Sequence, residues 1–365
     1  MSNLIEQGWP KPILDKNKLD RKARIAIRGA FGQLGTRLIG ALGKQLDLEA
    51  TIGLVRRDPT VELRGFAAVE GHPDLQLFTT DESELGALKD LGFNVGLWTN
   101  DHFRDVDLMI DTTPPGKGAD FAYRSRENNK PIIVQSGERG FGRLVSPPLI
   151  AGGEGIIFEA GDCNVNAISV VGSALSGILT RVGVNILMQH GRFFHGRLRD
   201  EPVISTYFVS GKPTQEHLQH LFPILDLTVG NISQVPSLRY YTHNFVMETA
   251  DLVDAGEVRD LLDKHPRIRC LPHATSTYDV REYDNILRAA GGARLPPIVP
   301  IIVQGGTPFQ KSKTVEMIVT IDSRRITVLP NIDAARTLLW GVEPIESMRI
   351  TDETMHFVKP PDEIK

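Results

Sequence analysis

Residues 23–42 read ARIAIRGAFGQLGTRLIGAL, and this stretch decides the fold. Its first six residues, Ala23–Arg28, suit a short buried strand. The next seven, Gly29-Ala30-Phe31-Gly32-Gln33-Leu34-Gly35, spell GxxGxxG. Apolar residues at helical spacing follow, and 48–55 (LEATIGLV) is a second apolar run. Strand, glycine turn, helix, strand is how a dinucleotide-binding unit opens. Glycine allows the tight turn and the close approach of backbone N–H groups to a pyrophosphate, and the helix N-terminus adds about half a positive charge. The competing reading is a glycine-rich turn that only packs a helix on a sheet. On the dinucleotide reading, Gly29, Phe31, Gly32, Gln33, Leu34 and Gly35 hold the coenzyme.

The same grammar continues outward. Residues 106–112 (VDLMIDT) run into TPPG and 131–135 (PIIVQ) into SGERG, with a helical stretch, GKGADFAYRSRENN, between them. Short apolar strands alternating with helices predict a parallel sheet with right-handed crossovers. Ligands in such sheets sit at the carboxyl ends of strands, where 29–35, Arg56, 112–116 and 136–138 fall. After Cys163 the texture changes. A helix is expected over 168–179, then strand-like stretches at 203–209, 238–249, 298–303 and 314–321, with helices near 257–265 and 278–290. The expected fold class is α/β: a Rossmann parallel-sheet coenzyme domain plus an α+β catalytic domain with a mixed or antiparallel sheet. Domain boundaries are expected at 1–162 (arm and coenzyme domain), 163–331 (catalytic and oligomerisation domain) and 332–365 (a helix over 332–340 and a tail returning to the coenzyme domain).

Composition narrows the function. The 365 residues are 41% hydrophobic and 24% charged with a net charge of −4, an ordinary globular balance without a basic stripe for nucleic acid. No apolar run reaches the roughly 18–20 residues that span a bilayer. The polar, Pro-interrupted N-terminus lacks a secretory h-region and reads as an arm packed on the body or on a neighbouring subunit. The two cysteines, Cys163 and Cys270, make neither a disulfide framework nor a zinc site. A cytoplasmic location and no metal are therefore expected.

The end of the second strand bears on coenzyme choice. An acidic residue there would take the ribose 2′-hydroxyl of NAD. This chain has Arg56 and Arg57, which suit a 2′-phosphate, so NADP is favoured over NAD. The alternative is a solvated arginine pair.

Cys163 stands just before an apolar helix. A thiolate there is stabilised by the helix dipole and attacks a carbonyl, with a nearby His as base. The plainer reading is a small buried hydrophobe, and Cys270 in RIRCLP suits it. His217 and His220, one helical turn apart, could share a metal, but no third ligand is evident and a solvated helix face is favoured.

Taken together, Asp111-Thr112-Thr113-Pro114-Pro115-Gly116, Gln135-Ser136-Gly137-Glu138, Asp162-Cys163-Asn164, Thr242-His243-Asn244-Phe245 and Leu329-Pro330-Asn331-Ile332-Asp333-Ala334-Ala335-Arg336 stand in order behind the glycine turn. In this the chain resembles the type II, archaeal-type glyceraldehyde-3-phosphate dehydrogenases, from about residue 23 to 340. The resemblance implies that Cys163 forms a thiohemiacetal with a small aldehyde, phosphorylated or related to glyceraldehyde 3-phosphate. It implies that His243 moves protons beside Asn164 and that hydride passes to the nicotinamide. Phosphate or water would then resolve the thioester. Thr112, Thr113, Pro114 and Gly137 would line the coenzyme cleft, and Asn331 would lie near the nicotinamide amide. It also implies a homo-oligomer, tetramer or dimer.

The departures concern the substrate. Two hydroxyl residues that follow the Asn in the family are Val165 and Asn166 here. The family's paired arginines fall on His190 and Gly191, leaving Asn166, Arg192 and Arg197 as the expected anion contacts. Phe245 replaces the second His, and Asp162 places a carboxylate beside the thiol. Two rival readings follow: an acyl-phosphate or thioester reductase of the semialdehyde dehydrogenase kind, and an inactive coenzyme-binding homologue serving as sensor or scaffold.

Overall fold

Order in the chain begins with strands whose side chains are buried on both faces. The computed structural model describes residues 8–15, 21–56, 62–135, 140, 142–190, 193–194, 197–198, 207–236, 240–271, 274, 276–292, 294–304 and 311–357. They form two compact units: Gly8–Asp162 with Thr327–Ser347, hereafter the N-terminal unit, and Cys163–Ile326 with the residues from Met348, the C-terminal unit. The final helices are therefore shared between the units.

The N-terminal unit runs β1 (Ala23–Arg28), α1 (Gln33–Leu42), β2 (Leu48–Leu54), α2 (Glu62–Gly71), β3 (Gln76–Thr79), α3 (Glu82–Asp90), β4 (Val95–Leu97), β5 (Leu108–Asp111), α4 (Ala119–Glu127), β6 (Ile132–Val134), β7 (Arg143–Ser146), β8 (Leu149–Ile150) and β9 (Ile157–Ala160). Its nine strands lie in the order β4-β3-β2-β1-β5-β6-β9-β7-β8. All pairings are parallel except the β7–β8 hairpin. Every residue of β5, β6 and β9 is buried, as expected of strands covered on both faces. One core cluster joins Ala26, Met109, Ile132 and Val134 to Trp98, Phe103 and Phe121. From β1 the chain runs outward through β2, β3 and β4, then returns to place β5 on the other side of β1. That reversal is the topological switch point, where open α/β sheets bind ligands.

The described part of the N-terminal arm is tied to this unit. Ile13 and Leu14 donate backbone N–H groups to Leu338 and Leu339, and Trp9 donates Nε1–H to the Pro148 carbonyl.

The C-terminal unit holds α5 (Cys163–Leu175), β10 (Leu179–His190), β11 (Phe193–Phe194), β12 (Arg197–Leu198), β13 (Tyr207–Val209), α6 (Lys212–Leu221), β14 (Asp226–Pro236), β15 (Tyr240–Val253), α7 (Ala255–Asp263), α8 (Thr277–Gly291), β16 (Ile298–Gln304) and β17 (Ser312–Asp322). α9 (Arg325–Trp340) begins here and continues in the N-terminal unit, and α10 (Pro344–Thr354) follows. Six strands form a mixed sheet ordered β13-β14-β10-β15-β17-β16, in which only β10–β14 is parallel. In β15, Phe245, Met247 and Thr249 are buried while Asn244, Val246 and Glu248 are exposed, so one face is covered and the other open. Among the described residues no helix is long and apolar enough to cross a membrane.

Several boundaries differ from the sequence reading. The helix expected at 168–179 starts at Cys163 and stops at Leu175, and Leu179 already belongs to β10. The last-domain helix starts at Arg325, with Pro330 inside it. Proline has no N–H to give the carbonyl four residues back. Asn166 Nδ2 donates to that carbonyl, Ile326 O, at 3.2 Å instead.

Candidate active site

The glycine turn sits at the end of β1, on the switch point. Gly29 has φ +77°, and a Cβ there would stand 2.9 Å from Thr112 Oγ1. A Cβ on Gly35 would come within 2.2 Å of Gly29 O. Only glycine fits either place. Gly32 N–H donates back to Gly29 O at 2.9 Å, closing the turn. α1 then starts with Gly32 as N-cap, with no capping side chain and no acidic residue in its first turn. Its positive end is left for an anion. Gln33 is exposed and Leu34 half-buried, whereas Phe31 is buried and packs on Phe93 with ring centroids 4.9 Å apart. Phe31 therefore offers its backbone rather than its ring. Arg64 on α2, which the sequence reading passed over, donates Nε–H towards Phe31 O at 3.4 Å.

Thr112 and Thr113 close the other side of the turn. Thr112 Oγ1 donates to Arg28 O at 2.8 Å, stitching the ends of β1 and β5 together. Arg28 lies opposite Asp111 in the register, and its guanidinium grips Asp111 Oδ2 at 2.6 Å. Asp111 Oδ1 accepts from the backbone N–H and hydroxyl of Thr113, and Arg28 Nη1 also reaches Lys117 O. The loop after β5 is thus clamped, with Pro114 exposed at its tip.

Asn331 on α9 reaches the same unit. It is wholly buried, and its Nδ2 donates to Gln135 Oε1 and to Thr327 O, each at 2.7 Å. Its Oδ1 is buried with no hydrogen-bond donor. A buried acceptor without a donor can still take one N–H. An uncapped helix end, a turn shaped by missing Cβ atoms and this orphaned oxygen all fit a nicotinamide dinucleotide. Five residues on, Arg336 is fully buried between Asp47, Gln45 and Ser347 and pins α9 to the β1–β2 region.

Arg56, at the end of β2, is 79% exposed in its side chain and pairs with Glu84 through Nε at 2.9 Å. Arg57 and Gly137 lie outside the described residues.

In the C-terminal unit Cys163 is the first residue of α5, half-exposed, with no acidic residue in the helix's first turn. Asn164, one residue on, is buried. Its Oδ1 lies 3.1 Å from His243 Nε2 on β15. A carbonyl oxygen only accepts, so Nε2 carries the proton and Nδ1 the lone pair. That Nδ1 has no hydrogen-bond partner. Complete burial pushes the His243 pKa down to about 3 and keeps the ring neutral. Phe245, where the family has a second His, lies with its ring centroid 6.1 Å from that of His243.

The substrate-anion expectations fare differently. Asn166 is buried and engaged with Ile326 O. Arg192 lies outside the described residues. Arg197 is on β12, and its side chain lies outside them too. Cys270 is buried beside Asp263, with its thiol pushed up to about 12, chiefly by desolvation. His217 is buried and His220 exposed. Among the described residues no cluster of three or more His, Cys, Asp or Glu side chains could hold a metal.

No family model matches the chain. Curated relatives do. The glyceraldehyde-3-phosphate dehydrogenase of Sulfolobus acidocaldarius is 26% identical over 355 residues, covering 93% of this chain and 98% of that protein. That of Sulfurisphaera tokodaii is 22% identical with the same coverage. The chain resembles the archaeal glyceraldehyde-3-phosphate dehydrogenases. Among solved structures, a probable aspartate-semialdehyde dehydrogenase from Pseudomonas aeruginosa aligns with TM-score 0.61 and 16% identity, over 88% of this chain and 99% of that one. Aspartate semialdehyde dehydrogenase II from Vibrio cholerae aligns with TM-score 0.57 and 13% identity, over 87% and 99%. These structural neighbours establish the two-domain Rossmann-type fold.

Proposed function

We propose that this chain is an NAD(P)-dependent aldehyde dehydrogenase working through a thioester on Cys163. The observation that carries the reading is the Cys163–Asn164 start of α5 with His243 held on Asn164 Oδ1 at 3.1 Å, in a chain that also carries the glycine turn. Gly29, Gly32 and Gly35 with the first turn of α1 hold the pyrophosphate. Thr112, Thr113 and Pro114 flank it, and Asn331 Oδ1 takes the carboxamide. We assign Arg56 to a 2′-phosphate, and hence NADP as the preferred coenzyme.

The Cys163 thiolate adds to the aldehyde carbon. A C–S bond forms, the carbonyl pair moves to oxygen, and that oxygen takes a proton. His243 is neutral at rest and holds a proton only in passing, because burial disfavours its charged form. It accepts the thiol proton, returns it to the nascent alkoxide, and takes the hydroxyl proton again as the thiohemiacetal collapses. When bound, the nicotinamide supplies the hydride acceptor that turns the thiohemiacetal into a thioester. Water or phosphate then attacks the acyl carbon, and the Cys163 thiolate leaves.

The substrate is a small aldehyde. Asn166 and Val165 are both buried, so the positions that carry hydroxyls in the resembled family offer no free group to an anion. A panel of phosphorylated and plain aldehydes, with NADP or NAD, with and without inorganic phosphate, tests the reading by absorbance of the reduced coenzyme. Turnover with an aldehyde is expected, and phosphate dependence decides how the thioester is resolved. Coenzyme binding without turnover on any aldehyde or acyl donor would refute the dehydrogenase reading.

A further inference from the structure

The orphaned oxygen of Asn331 owes its direction to a line of amides. Gln135 follows β6 and is 2% exposed. Its Nε2 donates to Gly161 O at 3.1 Å, and its Oε1 accepts from Asn331 Nδ2 at 2.7 Å. Asn331 spends its second N–H on Thr327 O. A flipped Asn331 would set Oδ1 against two other acceptors, Gln135 Oε1 and Thr327 O. A flipped Gln135 would set Oε1 against Gly161 O. Each wrong orientation opposes lone pairs in the interior, where unmatched polar atoms cost most. The backbone carbonyl of Gly161 therefore dictates, through two side chains, which atom of Asn331 is left over.

We infer that Gln135 is a positioning residue that locks the Asn331 amide so that Oδ1 faces the coenzyme and selects a carboxamide N–H. The inference rests on reading the glycine turn as a nicotinamide dinucleotide site. Gln135 itself touches neither coenzyme nor substrate. Its effect is selectivity for the carboxamide, and a merely structural residue would have no such effect.

The test is calorimetric binding to the full-length chain. The ligands are the better-bound of NAD and NADP, its 3-acetylpyridine analogue, which lacks the amide N–H, and ADP-ribose, which lacks the ring. Wild type is expected to bind the carboxamide coenzyme about threefold to tenfold more tightly than the analogue, the worth of one hydrogen bond. Gln135→Leu should bring that ratio to about one, with ADP-ribose affinity unchanged. Gln135→Glu, protonated on the oxygen that faces Gly161 O, keeps an acceptor for Asn331 Nδ2 and should retain the preference. A wild-type ratio of one, or an unchanged ratio in Gln135→Leu, overturns the positioning role and leaves the coenzyme reading intact. If Gln135→Leu fails to bind ADP-ribose, the Gln135→Glu and wild-type ratios decide. Failure of wild type to bind any nicotinamide coenzyme removes both readings.

Discussion

The two units build their candidate sites from different materials. In the N-terminal unit the site is mostly backbone: a turn shaped by the missing Cβ atoms of Gly29 and Gly35, and a helix end with no cap. In the C-terminal unit it is side chains on separate elements, Cys163 and Asn164 on α5 and His243 on β15, joined by one polar contact. A backbone site tolerates changes of side chain but no added atom. A side-chain site tolerates small shifts of backbone but no change of functional group.

The largest effect expected follows from that contrast. Cys163→Ser should lower turnover by at least about a thousandfold, because a hydroxyl without a strong base is a poor nucleophile, while coenzyme affinity measured by titration stays within twofold. Parallel loss of both would mean that the units do not divide the work. Next comes a pair of identical substitutions on one helix. Gly35→Ala drives a methyl into Gly29 O and should cost about 1–3 kcal/mol of stability together with coenzyme binding. Gly40→Ala, where nothing lies within 4 Å, should instead stabilise by about 0.5–1 kcal/mol. Denaturant melts of both variants give the comparison, and equal effects would contradict the shape argument.

Acid should act on the C-terminal unit. His243 and His265 are both held neutral by burial, each with a pKa near 3. The unfolded chain binds protons from about pH 6.5 downward and the folded chain does not, so each group's contribution to stability falls as pH drops from about 6.5 towards 3. The slope is about 1.4 kcal/mol per pH unit for each histidine. Relative to His265→Phe, wild type should therefore lose stability by about that slope between pH 6 and 5. A constant difference would show that His265 charges while folded. The smallest effect concerns the surface. Arg56→Ala should weaken NADP by about tenfold and leave NAD unchanged, the worth of one charge-assisted contact at an exposed position. Equal loss for both coenzymes would rule out the 2′-phosphate assignment.

Legibility in the sequence follows the same division. β1, the glycine turn and α1 could be read directly, because strand, turn and helix are contiguous and each shows its own local pattern. The strand Asp226–Pro236 could not. A register shift interrupts its pairing between Val184 and Ile186, and Gly230 makes room for Asn185, so strict alternation is lost. Cys163 and His243 were singled out by motif, but 79 residues separate Asn164 from His243, and no local signal shows that they meet. Asn166 stood inside a motif, but its partner Ile326 O lies 160 residues further on, beyond any sequence window. Gln135 stood inside a quoted motif, yet its role depends on Asn331, 196 residues away.

The buried guanidinium of Arg336 also bears on how the chain matures. Asp47 and Gln45 leave the ribosome before the cation that satisfies them, which follows nearly three hundred residues later. Until then the Rossmann sheet lacks the helix that supplies Leu338, Leu339 and Asn331. Until α9 is made and docks, a nascent chain of this protein therefore leaves that part of the Rossmann core uncovered.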